Sequence, residues 1–168
     1  MSFKKTNRQI HKWGSIMIAL PLLVVIITGI LLLLKKEFDL IQPPTQRGIS
    51  ATPSVSFEQV LRIAKSVESA EINSWKDIDR LDVRPSKGVI KVRSHNEIEI
   101  QIDSESGNVL QVAQRNSDFI ESLHDGTFFQ KNANLWLMLP SAIIALVLLI
   151  TGLILFFQPY LRSKTKSR

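Results

Sequence analysis

The chain has 168 residues, with 21 Lys and Arg against 15 Asp and Glu and a 45% hydrophobic content. It has no cysteine, which excludes a disulfide framework, a thiolate-bound iron-sulfur cluster and the C-x-x-C-H attachment of c-type haem. The net charge of +6 comes from the two tails: Lys4, Lys5, Arg8 and Lys12 at one end, and Arg162, Lys164, Lys166 and Arg168 at the other, with no acid in either. All 15 acids lie between residues 35 and 134, so the basic balance reads as a topology signal and no nucleic-acid partner is expected.

In chain order, the first predicted element is an uncharged apolar run from Ile16 to Leu34, preceded by His11 and carrying Thr28-Gly29. Its 19 residues cover a hydrocarbon core of about 30 Å at about 1.5 Å per residue. It ends in Lys35-Lys36-Glu37 with no small-residue cleavage site, so an uncleaved anchor is expected and not a signal peptide. On a helix starting near Asn7, His11 shares a face with Ser15, Ile18, Leu22 and Gly29; a small residue there lets a flat cofactor or another helix approach.

Residues 38–55 read as a linker, because QPPTQRGISATPS holds three prolines, a glycine and several hydroxyl residues. Ser56 is a plausible N-cap for an amphipathic helix carrying Phe57, Val60, Leu61, Ala64 and Val67. The hydrophobic period then changes to two. Four short strands are predicted around Leu81 and Val83, Val89 to Val92, Ile98 to Ile102, and Val109 to Val112, with Pro85 to Gly88, Ser94 to Asn96 and Asp103 to Asn108 as turns. A helix on an antiparallel meander over residues 56–115 makes a small α+β domain. Asp118 to Gly126 predicts a short helix within a connecting segment, 116–133, leading to the second apolar run.

That second run, Leu135 to Phe157, has 23 residues, is preceded by His124 and carries Thr151-Gly152. The strings IITGILLLL and LITGLILFF are nearly the same. The expected architecture is therefore an α-helical two-span antiparallel hairpin with the α+β domain inserted on the extracytoplasmic side. Residues 1–37 hold the basic N-terminus and first span, 134–158 the second span, and 159–168 a basic cytoplasmic tail. Antiparallel spans place His11 beside Thr151-Gly152 at the cytoplasmic face and His124 beside Thr28-Gly29 at the outer face. With one histidine per face, a six-coordinate haem needs a second chain, and a two-fold homodimer supplies it; histidine pairs also suit zinc or copper.

Other residues carry less. His95 reads as a solvated hairpin residue, Met17 and Met138 as core or lipid contacts, Trp13 and Trp136 as interfacial belts, Pro21 and Pro140 as sites of local kinking, and Arg8 and Lys12 as positive-inside charge. Glu121 and Asp125 flank His124 and could hold hard Fe³⁺, although solvation explains them as well. The sequence has no nucleophile triad, metalloprotease H-E-x-x-H or phosphate loop.

HKWGSIMIALPLLVVIITGILL, SLHDGTFF and LITGLILFF, in that order around EIEIQIDSESGNVLQV with its D-x-x-x-G-x-V turn, resemble the PepSY-associated transmembrane family. The stretch from Ser56 to about Gln114 resembles a PepSY domain. The resemblance implies a bacterial inner-membrane haem protein related to small ferric reductases. His11 and His124 would be axial ligands of b-type haem, two haems per homodimer, with Gly29 and Gly152 packing closely to them. Ferric iron or a ferric chelate would be the acceptor, and a quinol or a cytoplasmic reductant the donor. The competing expectation is a cofactor-free, membrane-tethered PepSY module that binds or restrains another envelope protein.

Overall fold

Two helices too apolar for water set the frame. In the computed structural model, which describes residues 3–165, α1 runs Phe3–Leu33 and α4 runs Leu139–Thr165. Lys166 and Arg168 of the basic tail lie outside the described residues. Only about a tenth of either apolar span is buried within the chain. Leu20, at 71% exposed, and Leu33, at 85%, would be untenable in water but suit a lipid-facing surface. The chain is a two-span membrane protein.

The chain divides into two compact units: residues up to 30 together with those from 121 onward, and residues 31–120. In the first unit the inward positions of α1 are Asn7, His11, Gly14, Ile18, Pro21, Val25 and Thr28, and those of α4 are Ser141, Ala145, Leu148 and Gly152. Their alternating steps of three and four make the seam of an antiparallel helix pair. A Cβ on Gly14 would stand 3.0 Å from Leu148 Cδ2, so the helices meet closely there. α1 continues through Pro21. Before Pro140 the chain makes a π turn, Asn134–Met138, in which the Leu139 N–H reaches Asn134 O. This wider register absorbs the hydrogen bond that the proline cannot donate.

The second unit holds α2, Phe57–Lys65, and a meander of β1, Ile78–Arg84, β2, Val89–Ser94, β3, Ile98–Asp103, and β4, Val109–Gln114, paired antiparallel in chain order. Ser56 caps α2 through a capping box with Gln59, which satisfies two otherwise orphan N–H groups. Val60 and Ala64 of α2 pack with Ala70, Ile72, Ile90, Val92, Ile100 and Ile102 against one face of the sheet. Phe57, expected on the buried side, is 66% exposed and stacks edge-on against Trp75. The reason is its place in the first turn, ahead of the helix's contact with the sheet. α3, Asn116–Asp125, follows β4.

The opposite face carries Lys91, Arg93, Glu99, Gln101 and Asp103, a composition that ordinarily faces water. Here every one of them is buried. The cover is the proline-rich segment 42–54, which lies extended along the domain. Gly48 donates to Lys87 O at 2.8 Å, Gln46 N to Gln101 Oε1 at 2.8 Å, and Gln101 Nε2 to Pro44 O at 2.9 Å. A Cβ on Gly48 would overlap the carbonyl oxygen of Gly88, so only glycine permits this approach.

Beneath the strap, Glu99 bonds Lys91 Nζ at 2.8 Å, Arg115 Nη1 at 2.9 Å and Gln101 Nε2 at 2.8 Å. Asp118 bridges Arg115 Nε at 2.7 Å and Arg93 Nη1 at 3.3 Å. Burial pushes the Lys91 ammonium below its ordinary pKa, and the Glu99 carboxylate works against that shift. Losing the carboxylate strands the buried Lys91 ammonium and leaves Arg115 with Asp118 as its ion-pair partner. Glu99→Ala is therefore expected to destabilise the domain by about 3–5 kcal/mol, against less than about 0.5 kcal/mol for exposed Lys65→Ala, in chemical denaturation of the full chain.

The D-x-x-x-G-x-V turn is built by Asp103. Its carboxylate accepts N–H groups from Ser106 at 2.8 Å, Ile49 at 2.7 Å and Glu105 at 2.9 Å, and Gly107 completes the turn at φ +78°. The Ser106 amide, followed by those of Ile49 and Glu105, holds the carboxyl below its ordinary 3.8 against the opposing effect of burial. A depressed folded pKa gives stability that is complete above 3.8 and is lost as pH falls through the folded value. Thermal melting followed against pH should show this acid loss. Asp103→Asn should lower the midpoint at neutral pH and flatten the acid limb.

Candidate functional site

Helix spacing brings each histidine to a threonine of the other span. His11, on α1, places Nδ1 2.9 Å from Thr151 Oγ1. His124, on the last turn of α3, places Nδ1 3.0 Å from Thr28 Oγ1. The pairing expected from antiparallel spans is thus present at both ends of the hairpin.

The hydroxyls decide which way the imidazoles are protonated. Thr28 Oγ1 lies 2.7 Å from Val24 O, and Thr151 Oγ1 lies 3.1 Å from Leu148 O. A hydroxyl has one proton and here gives it to a helix carbonyl, so toward the imidazole it can only accept. The hydrogen-bond network therefore assigns the proton of each neutral ring to Nδ1 and leaves a lone pair on Nε2. Among the described residues no hydrogen bond reaches either Nε2. An imidazole held through Nδ1 with Nε2 free is the usual form of a histidine prepared for a metal.

The glycine beside each threonine makes room for the ring. A Cβ on Gly29 would stand 3.4 Å from His124 Cε1, and one on Gly152 would stand 3.3 Å from His11 Cε1. The close neighbour of both glycines is therefore the imidazole edge, a contact distinct from the packing against haem expected for them. At the His11 end, Asn7 Nδ2 adds a 3.3 Å bond to Thr151 O.

His124 also borders a cavity of about 230 Å³ between α1 and α4, walled by Ile18, Pro21 and Val25 on one side and Met138, Ala142 and Ala145 on the other. The wall is apolar apart from His124 and Ser141, and the Ser141 hydroxyl is already bonded to Leu137 O at 2.7 Å. The Ser141 hydroxyl has thus spent its proton and can only accept, which leaves the imidazole as the principal polar group on the wall.

The remaining candidates stand apart. His95 sits in the exposed β2–β3 turn with Nε2 3.1 Å from Lys76 O. Met17 is 69% exposed, whereas Met138 lines the cavity. Asp125 Oδ1 is occupied by the N–H and hydroxyl of Thr127, at 2.9 and 2.6 Å. Lys12 lies over the Trp13 ring, 5.7 Å from its centre. Among the described residues no group of three or more His, Cys, Asp or Glu could hold a metal ion. Any metal at these docks must take further ligands from a cofactor or another chain.

Residues 8–168 match the family model described as PepSY-associated TM region. The chain belongs to that family. Comparison with curated proteins and with solved structures finds no match. Within this PepSY-associated chain, Asn7 was not anticipated from the sequence, whereas Thr28 and Thr151 were placed beside the histidines as parts of the Thr-Gly steps without their hydrogen-bonding roles. The signal for the threonines was the repeated Thr-Gly step, in which the threonine, and not the glycine alone, has a polar partner.

The docks can be tested directly. In ¹⁵N-histidine NMR of the full chain, His11 and His124 are expected as Nδ1–H tautomers. Thr28→Val should shift only His124, Thr151→Val only His11, and either Thr→Ser variant should retain the wild-type pattern. Gly152→Val should displace His11 more than Gly152→Ala does.

Proposed function

We propose that this protein is a b-type haem membrane protein that carries electrons across the bilayer to ferric iron, in support of iron acquisition. The reading is supported above all by two prepared Nε2 lone pairs at opposite ends of one hairpin. His11 and the His124 partner Thr28 are 17 residues apart on α1, roughly 26 Å along the helix axis, so one cofactor cannot serve both docks.

The donor set fits haem. Each dock offers an imidazole with Nδ1 tied off, and the His124 dock opens on an apolar, cysteine-free cavity that can receive the edge of a flat ring. A second copy of the chain would supply the other axial imidazole at each level, giving two haems per homodimer. Haem supplies one-electron transfer when bound. This chain contributes ligand basicity through Thr28 and Thr151, and exclusion of water through the aliphatic walls.

Both tails are basic and acid-free, which supports a topology with the tails in the cytoplasm and residues 38–133 outside an inner membrane. Reduction then occurs on the outer side, near His124. A quinol or a cytoplasmic reductant would be the donor.

The test is haem content together with iron reduction. Wild-type protein should carry haem by pyridine haemochrome, His11→Ala and His124→Ala should each lose about half of it, and His95→Ala should lose none. Intact cells should produce more ferrozine-detected Fe²⁺ with the wild type than with either variant. Full haem in both variants would eliminate these ligands. No haem and no iron reduction in the wild type would leave the tethered PepSY module as the better account.

A further inference from the structure

A cleft of about 340 Å³ in the extracytoplasmic unit is lined by Lys36, Gln42, Pro43, Pro44, Thr45, Arg84 and Lys87. It shares no lining residue with the cavity at His124, and its polar side chains share one property: each has donor capacity left. Lys36 and Lys87 are exposed, and neither has an ion-pair partner among the described residues. Arg84 is held by Asp82, through Nε at 2.8 Å and Nη2 at 2.7 Å, and by Thr45, through Nη1 at 3.3 Å. Five N–H groups on a guanidinium against three such contacts leave N–H capacity on both terminal nitrogens.

Thr45 accepts from Arg84, so its own proton is free to be donated. Gln42 gives its carbonyl oxygen to Arg115 Nη2 at 3.2 Å, which leaves its NH₂ group. The two prolines add a wall with fixed φ and no N–H. No carboxylate lines the cleft; Asp82, paired with Arg84, neutralises one of the three cations. The remaining charge is positive, and the polar side chains offer a ligand N–H and O–H donors.

We propose that this cleft binds a multiply charged oxyanion, a phosphate or polycarboxylate group. Oxygen anions are acceptor-only, so they match a cationic lining whose side chains can donate, and the fixed guanidinium offers them a preorganised contact. Lys36 stands three residues after the last residue of α1, within about 10 Å of the span's end by chain reach. Either a phospholipid headgroup or a soluble anion can meet it there. The site does not depend on the haem reading.

The experiment uses the full chain in detergent and in nanodiscs. Citrate and inorganic phosphate are titrated calorimetrically at low salt into wild type, the Lys36→Ala/Lys87→Ala double variant, and Lys65→Ala, which removes an exposed lysine at the end of α2. Lipid carried from nanodiscs of mixed phosphatidylglycerol and phosphatidylcholine is quantified in parallel. Both lysines of the double variant are exposed, so the fold should survive, and a wild-type denaturation midpoint verifies this. Wild type should bind one of the anions about tenfold more tightly than the double variant, with affinity falling as salt rises and Lys65→Ala within about twofold of wild type. Binding of citrate or phosphate assigns a soluble ligand. Enrichment of phosphatidylglycerol by wild type and not by the double variant, without citrate or phosphate binding, assigns a headgroup. Equal retention of every anion by wild type and double variant, or an equal loss in Lys65→Ala, overturns the proposal.

Discussion

A threonine hydroxyl has a single proton, and in this hairpin both dock hydroxyls commit theirs to a carbonyl of their own helix. The bonds from Thr28 to Val24 O and from Thr151 to Leu148 O leave an oxygen that can only accept. The protonation pattern at the two docks follows from this: the proton on Nδ1 and the lone pair on Nε2, with the glycine next in sequence giving the ring edge room against the helix. Serine could supply the same oxygen, but threonine's methyl group stiffens χ1, so the acceptor stays aimed across the helix pair. A polar group at membrane depth is costly unless paired, and here the pairs are also the cross-links of the hairpin.

The inserted domain meets the opposite problem. Its sheet has one aliphatic face under α2 and one ionic face, and ionic groups removed from water must be matched almost atom for atom. The strap from Gln42 to Ser54 does part of this work with backbone groups, while Arg115 and Asp118 close the remainder. Arg93 Nε, 3.7 Å from Glu99 Oε2, is the one buried side-chain polar atom among the described residues left without a hydrogen bond. The network is thus nearly complete, with one weak point on the positive side.

Much of this was legible in residue order. Period-two runs at Val89 to Val92 and Ile98 to Ile102 gave the strands, Ser56 with Gln59 gave the start of α2, and the two Thr-Gly steps anticipated which ends of the spans meet. Other features were hidden for physical reasons. Lys91, Glu99 and Gln101 alternate with aliphatic residues as a solvated face does, and no local pattern reveals that a segment some 50 residues earlier covers them. That segment has the composition of a free linker because extended strands tied by main-chain bonds need few apolar side chains. The role of Thr28 depended on where its proton goes, which is a matter of three-dimensional neighbours. Met138 could be placed beside the cavity only once the π turn before Pro140 had set its direction.

The domain's entry and exit are joined to each other: Ser117 N bonds Ile41 O at 2.7 Å, and Asn116 Nδ2 bonds Leu40 O at 2.8 Å. This junction alters the polymer physics of bringing the spans together. A flexible connector of about 100 residues would carry a closure entropy roughly 2 kcal/mol greater than one of about ten, because the cost grows with the logarithm of length. Once the domain has folded, the 77 residues from Ile41 to Ser117 are bridged by a junction a few ångströms wide, and the excursion counts as a short loop. The helix pair can then behave as a hairpin in assembly, and the insertion can change in size without loosening it, provided that residues 40, 41, 116 and 117 keep their grip.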